Sequence, residues 1–248
     1  MNDYLSGFIL GVVQGLTEFL PVSSSGHLML LESLGVGSPD LATNLALHAA
    51  TLLAVFVAYG KRIVYLVKHP LDERVRFILA ATVPTGVFAG VIRYFVPQTA
   101  AFLPFCFITT SVILILPKIV KPKERALKDK LLGKSLFVGC MQGLACLNGI
   151  SRSGSTVTAL RLAGVNAEES AELSFLLSIP IIVASAAVEC VTSQGSWKVN
   201  GGLLVGMITA FIVGTGAIKL FVGVLKKDKT AWFSLYTFLI GIASFFLI

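Results

Sequence analysis

The sequence predicts an all-α polytopic membrane protein: six transmembrane helices plus two re-entrant helix hairpins, about ten helices, in an inverted-topology repeat. Three observations carry this expectation. Apolar side chains make up 55% of the 248 residues and charged ones only 13%, with a mean hydropathy of +0.86, so polar surface is too scarce to cover a soluble globule of this size. Two apolar stretches are each interrupted at the centre by a polar cluster, and they match each other at a fixed offset. The basic residues gather in loops that this topology assigns to one side.

The first hairpin is read from the run Gln14 to His27, in which an acid, a serine run and a histidine lie between apolar flanks. From Tyr4 to Leu31 the only ionisable groups beyond Tyr4 are Glu18 and His27, at a distance from the ends that reaches deep into a bilayer. Pro21 and the serines break a helix there. Such a break suits two half-helices meeting at a turn that lines a cavity. The start, Met1-Asn2-Asp3, lacks the basic segment of a cleaved signal peptide, so the first segment is expected to stay in the mature protein.

After this hairpin, which ends near Glu32 to Asp40, apolar segments run at roughly 42–60, 75–96, 101–117, 170–190, 203–224 and 231–248. A basic loop, Lys118 to Lys134, separates the third from a second interrupted stretch, Ser135 to Val165, broken at Asn148 to Gly154. Shifting the chain by 128 residues places Gly11, Gln14, Gly15, Leu16, Ser23, Ser25 and Gly26 on Gly139, Gln142, Gly143, Leu144, Ser151, Ser153 and Gly154. The match has no gap and is centred on the two breaks, so the chain reads as one membrane domain made by duplication, with halves of approximately 1–128 and 129–248. A hairpin returns to its own side and three crossings follow, so the second half enters from the opposite face and the two tips meet near mid-bilayer.

Loop charge orients this arrangement. One side collects Lys61, Arg62, Lys68, Arg74, Arg76, the cations of the Lys118–Lys134 loop, and Lys226, Lys227 and Lys229; the other has almost only Arg93 and Lys198. The basic side is cytoplasmic by the positive-inside rule, which puts both termini outside in a multi-pass cell-membrane protein. The same distribution accounts for the net charge of +7 and removes the case for nucleic acid. Cys106, Cys140, Cys146 and Cys190 lie in apolar segments at spacings that fit no zinc pattern and are read as reduced thiols.

Gly7, Gly11 and Gly15, with Ser135, Gly139 and Gly143 in the second copy, put small residues on one helix face for close packing, which is expected to draw the tips together. Gln14 and Glu18 are four apart and share a face. A carboxylate and an imidazole, His27, at one cavity can bind a metal or move protons; the opposing reading has Glu18 only hydrogen-bonding a neighbouring half-helix. Ser23, Ser24 and Ser25 open a half-helix, as do Ser151, Ser153, Ser155 and Thr156 in the second copy, and Arg152 adds a charged fork suited to phosphate oxygens. If Arg152 only pairs with Glu18, the surplus of hydroxyl and N–H donors still wants an acceptor. Of Asn44, His48, Glu172 and Glu189 the sequence says little beyond their place near span ends, where a side chain can serve only to anchor the interface.

These residues carry a resemblance to the undecaprenyl-diphosphate phosphatase (bacitracin resistance) family. Its Glu/Gln-x-x-x-Glu motif and serine-rich turn with histidine correspond to Gln14–Glu18 and Ser23–His27, and its Pro-Gly-x-Ser-Arg-Ser-x-x-Thr motif to Asn148–Thr156, with Asn148 in place of proline. The resemblance implies hydrolysis of a polyprenyl diphosphate to the monophosphate carrier lipid plus phosphate, on the outer side, with a divalent cation such as Mg2+ or Ca2+. It also implies roles: Gln14 and Glu18 in metal binding or proton handling, His27 as acid/base or nucleophile, Ser24 as nucleophile or phosphate ligand, and Arg152 with Ser151 and Thr156 as phosphate clamp. The nucleophile stays open among Ser24, His27 and water. So does a homodimer. The rival reading is an inverted-repeat transporter or flippase for an anion or lipid phosphate.

Overall fold

A computed structural model describes residues 2–37, 41–97, 99–192 and 200–248, and among these the chain forms helices and no strand. In order they are α1 (Asp3–Phe19), α2 (Ser24–Ser33), α3 (Leu41–Lys68), α4 (Glu73–Phe95), α5 (Leu103–Val120, after a 3-10 turn), α6 (Leu131–Leu144), α7 (Arg152–Leu162), α8 (Ala167–Thr192), α9 (Gly201–Lys226) and α10 (Ala231–Leu247). The expected hairpins are α1/α2 and α6/α7. Five of the six expected spans, on α3, α4, α5, α8 and α9, are long and apolar enough to cross a membrane. The sixth, α10, is apolar but has 17 residues, about 25 Å of helix, which is the short limit for a crossing.

The span expected to end near residue 60 runs on to Lys68. Tyr59 leaves helical geometry (φ −118°, ψ 17°), after which the helix resumes through charged residues. Lys61 and Arg62 do not end it, because Arg62 Nε finds Glu172 on α8 at 2.6 Å. Arg74 Nη2 meets Glu169 at 2.9 Å and Lys226 meets Glu168 at 2.9 Å. The first turns of α8 thus gather the ends of α3 and α9 and the start of α4 at one end of the molecule. Glu172 is part of this cluster, while the side chains of Glu189 and Cys190, and all of Lys198, lie outside the described residues. Cys106, Cys140 and Cys146 are unpaired.

The small-residue faces pack as expected, but on different partners. A Cβ on Gly7 would stand 1.9 Å from the Gly202 carbonyl oxygen, and one on Gly11 2.3 Å from that of Gly206, so α1 lies backbone to backbone on α9. In the second half a Cβ on Gly139 would stand 2.2 Å from Ala81 O on α4. α1 and α6 therefore each close on a long apolar helix that offers its own small residues, rather than drawing the other hairpin in. Exchanging the halves turns the α1–α9 pairing into α6–α4, and α5 packs on α10.

Two apolar clusters back the tips. Phe19, Phe175 and Phe221 interlock beneath the first, with Phe19 and Phe175 edge to face at 5.4 Å. Phe77, Val138, Leu160 and Leu173 fill the space behind the second. The outward faces carry exposed Leu79 and Val83 on α4, Ile208 and Ile212 on α9, and Leu239 and Phe246 on α10, a surface suited to lipid.

Candidate active site

The first turn is forced by its sequence. Pro21 has no N–H to extend α1, Val22 N–H bridges it by donating to Leu20 O at 2.8 Å, and Ser23 is held at φ 73°, ψ 98°, a region sparsely used by non-glycine residues. Ser23 then caps α2, its Oγ accepting the Gly26 N–H at 3.4 Å. In the second turn Gly149 takes the positive φ (97°) and Ser151 caps α7 by accepting the Gly154 N–H at 3.1 Å. The same cap thus recurs at the 128-residue offset. Thr110 of α5 pins this second turn from both sides, donating to Gly149 O at 2.9 Å and accepting the Ser151 N–H at 3.0 Å.

The tips meet. Ser153 Oγ donates to Leu20 O at 3.1 Å, and a Cβ on Gly26 would lie 2.9 Å from Gly149 Cα. At the junction Glu18, 5% exposed, acts as a hub. Its carboxylate accepts from Gln14 Nε2 at 3.1 Å, from Ser24 Oγ at 2.7 Å and from Arg152 Nη2, and His48 Nδ1 lies 3.3 Å away. The Gln14 amide is oriented by this carboxylate, and its nitrogen also stands 3.1 Å from His48 Nδ1. The Glu18–Arg152 pair of the opposing reading exists, yet it does not use Arg152 up: Nη1 is buried without a partner. A buried donor of this kind fits an anion's oxygen.

Of the proposed phosphate ligands, Ser153 and Thr156 give their hydroxyl hydrogens to backbone carbonyls, while Ser23 and Ser151 only accept in their caps. Ser23 and Ser151 cap helices, Ser153 ties the tips, and Thr156 Oγ1 donates to Arg152 O at 2.9 Å and lies 2.6 Å from Ser174 Oγ on α8. Ser25 Oγ lies 3.5 Å from Ser23 Oγ. Besides hydroxyls that only accept in their caps, the two helix starts offer an anion their first N–H groups, which have no partner within the helix. His27 is turned away from the hub: its Nδ1 lies 2.7 Å from Ser23 O and its Nε2 2.8 Å from the Tyr236 hydroxyl on α10.

His48 is the residue that sequence reasoning missed. It sits two turns inside α3 and 3.3 Å from the Glu18 carboxylate, and an ionisable side chain within an apolar span was the available signal. Tyr236 gave no such signal, since a tyrosine on an apolar terminal helix reads as an interfacial anchor. For a divalent cation the fit is partial and specific. Among the described residues no three His, Cys, Asp or Glu side chains cluster, so the protein alone builds no cage. Gln14 Oε1, however, is buried with no partner beside the Glu18 carboxylate, giving two oxygen ligands of the kind a hard cation takes when substrate phosphates supply others.

Residues 7–243 match the family described as Bacitracin resistance protein BacA. Relatives named undecaprenyl-diphosphatase include one from Carboxydothermus hydrogenoformans, 35% identical over 98% of this chain and 96% of its own length. Others come from Korarchaeum cryptofilum, 34% identical over 97% and 98%, and from Methanosphaera stadtmanae, 34% identical over 100% and 99%.

Proposed function

The chain belongs to the bacitracin resistance protein BacA family, and from that membership we infer that it is an integral-membrane phosphatase converting undecaprenyl diphosphate to the monophosphate carrier lipid and inorganic phosphate. This recycles the lipid carrier of cell-wall synthesis. The observation that supports the site assignment is the hub at Glu18, where a serine hydroxyl, a carboxylate and an arginine with a spare donor converge.

The chemistry follows from those groups. A phosphate oxygen of the diphosphate takes the spare Nη1 of Arg152 and competes with Glu18 for the guanidinium, which leaves the carboxylate free to act as base. Glu18 then accepts the Ser24 proton as Oγ attacks the terminal phosphorus; the bond from that phosphorus to the bridging oxygen breaks, and the lipid monophosphate leaves. The serine proton passes from Glu18 through the unprotonated Nε2 of His27, three residues beyond Ser24 on α2, to the leaving oxygen, which leaves both groups as they began. Water, losing a proton to the re-ionised Glu18, next attacks the phosphoserine; phosphate leaves and Glu18 returns that proton to Ser24 Oγ. Arg152 and the N-termini of α2 and α7 stabilise charge on the transferring phosphoryl group. Gln14 Oε1 and Glu18 would hold Mg2+ or Ca2+, which when bound neutralises charge on the diphosphate.

The site lies near mid-membrane and opens to the outer face, with both termini outside and the Arg62, Arg74 and Lys226 end in the cytoplasm, a placement supported by the loop charges. A homodimer is not required, since every group named comes from one chain. A transporter is not favoured: the relatives are named for hydrolysis, and the serine–carboxylate contact has no purpose in transport. The test is phosphate release from undecaprenyl diphosphate in detergent, where no gradient exists. Wild type should turn over and Glu18→Gln and Ser24→Ala should not; a wild-type protein without hydrolysis would return the case to transport.

A further inference from the structure

Tyr236 of α10 plays no part in the chemistry above and is 42% exposed. Its hydroxyl nevertheless stands 2.8 Å from Nε2 of His27, and the two rings stack with planes 5° apart and centroids 5.7 Å apart. On the other side of the imidazole, Phe107 of α5 approaches edge-on at 5.2 Å and 82°. The slot so formed has a fixed width, because α5 and α10 are bolted together two residues before Tyr236: Ser234 Oγ donates to Ser111 O at 2.8 Å and lies 3.1 Å from Ser111 Oγ.

The hydrogen bonds determine the state of the ring. Ser23 O can only accept, so His27 Nδ1 carries a hydrogen and donates to it at 2.7 Å. In the neutral imidazole Nε2 is then a bare acceptor, and the tyrosine hydroxyl is the donor that meets it. We propose that Tyr236 is a positioning residue for the phosphatase reaction, which holds the plane of His27 through its ring and keeps a hydroxyl donor against Nε2 in the tautomer that Ser23 O fixes. The proposal rests on the reading of His27 as the proton-handling group.

The test uses the full chain in detergent with undecaprenyl diphosphate. Tyr236→Phe keeps the ring and removes only the hydroxyl; it should lower kcat about tenfold, which is about 1.4 kcal/mol, with KM and melting temperature unchanged. Combined with His27→Ala, the same substitution should cost nothing further, because a residue acting through another is silent once that one is gone. A second readout needs no activity: in protein labelled with 15N-histidine, Tyr236→Phe should shift the His27 Nε2 resonance and leave those of His48 and His69 in place. Wild-type kcat in Tyr236→Phe, an equal loss in the His27→Ala background, or an unmoved Nε2 resonance overturns the proposal. Wild-type activity in His27→Ala alone overturns instead the reading of His27 on which it stands.

Discussion

Arg152→Lys is the substitution that isolates what the arginine does for the reaction from what it does for the fold. The guanidinium gives Nη2 to Glu18 and keeps Nη1 buried and unpartnered, so one side chain can hold the carboxylate and a phosphate oxygen together. A lysine keeps the charge but is a point donor that must choose between them. Loss of one donor to charge developing in a transition state costs about 2.7 to 4 kcal/mol, so kcat should fall about 100- to 1000-fold. The alanine variant is a poorer probe. It would strand Glu18, 5% exposed, without its cation, and breaking a buried pair destabilises by about 3 to 5 kcal/mol, mixing unfolding with lost chemistry. The assay is phosphate release in detergent beside a thermal melt. A lysine variant that melts like wild type and turns over within about threefold of it would refute the idea that the second arm of the fork engages the substrate.

Ser24→Ala should reduce turnover by about 1000-fold or more if its hydroxyl is the nucleophile; a loss of only about tenfold, read in a single-turnover assay, would transfer that role to water held by Glu18. His48→Ala leaves an N–H of the buried Gln14 amide without an acceptor, about 1 to 3 kcal/mol, and should slow hydrolysis by at least about tenfold, with His48→Gln restoring most of the rate. Chelation should suppress hydrolysis, with Mg2+ or Ca2+ restoring it, and Gln14→Leu should raise the cation concentration needed; a rate indifferent to chelator removes the cation. Gly7→Ala forces a Cβ to within 1.9 Å of a backbone oxygen on α9 and should destabilise by about 3 kcal/mol or more, while Gly60→Ala, with open space around it, should melt like wild type.

Much of this protein is local and therefore legible from the chain alone. Membrane residence follows from composition, the hairpins from Pro21 and the serine runs, and the recurring cap from the spacing of Ser23 to Gly26 and Ser151 to Gly154, which short-range hydrogen bonds satisfy. The pairing of Glu18 with Arg152 stood in the sequence only as the opposing reading, although an intramembrane acid and an intramembrane base have few other places to go. Only the tertiary structure decided which helices the glycine faces meet, because any small-residue face can take any other. It also brought His48 to the acid and Tyr236 to His27, and it left one arm of Arg152 free while spending the Thr156 hydroxyl on α8. Those outcomes depend on the register between helices far apart in the chain, a register set by packing over whole helix faces that no spacing within one segment encodes.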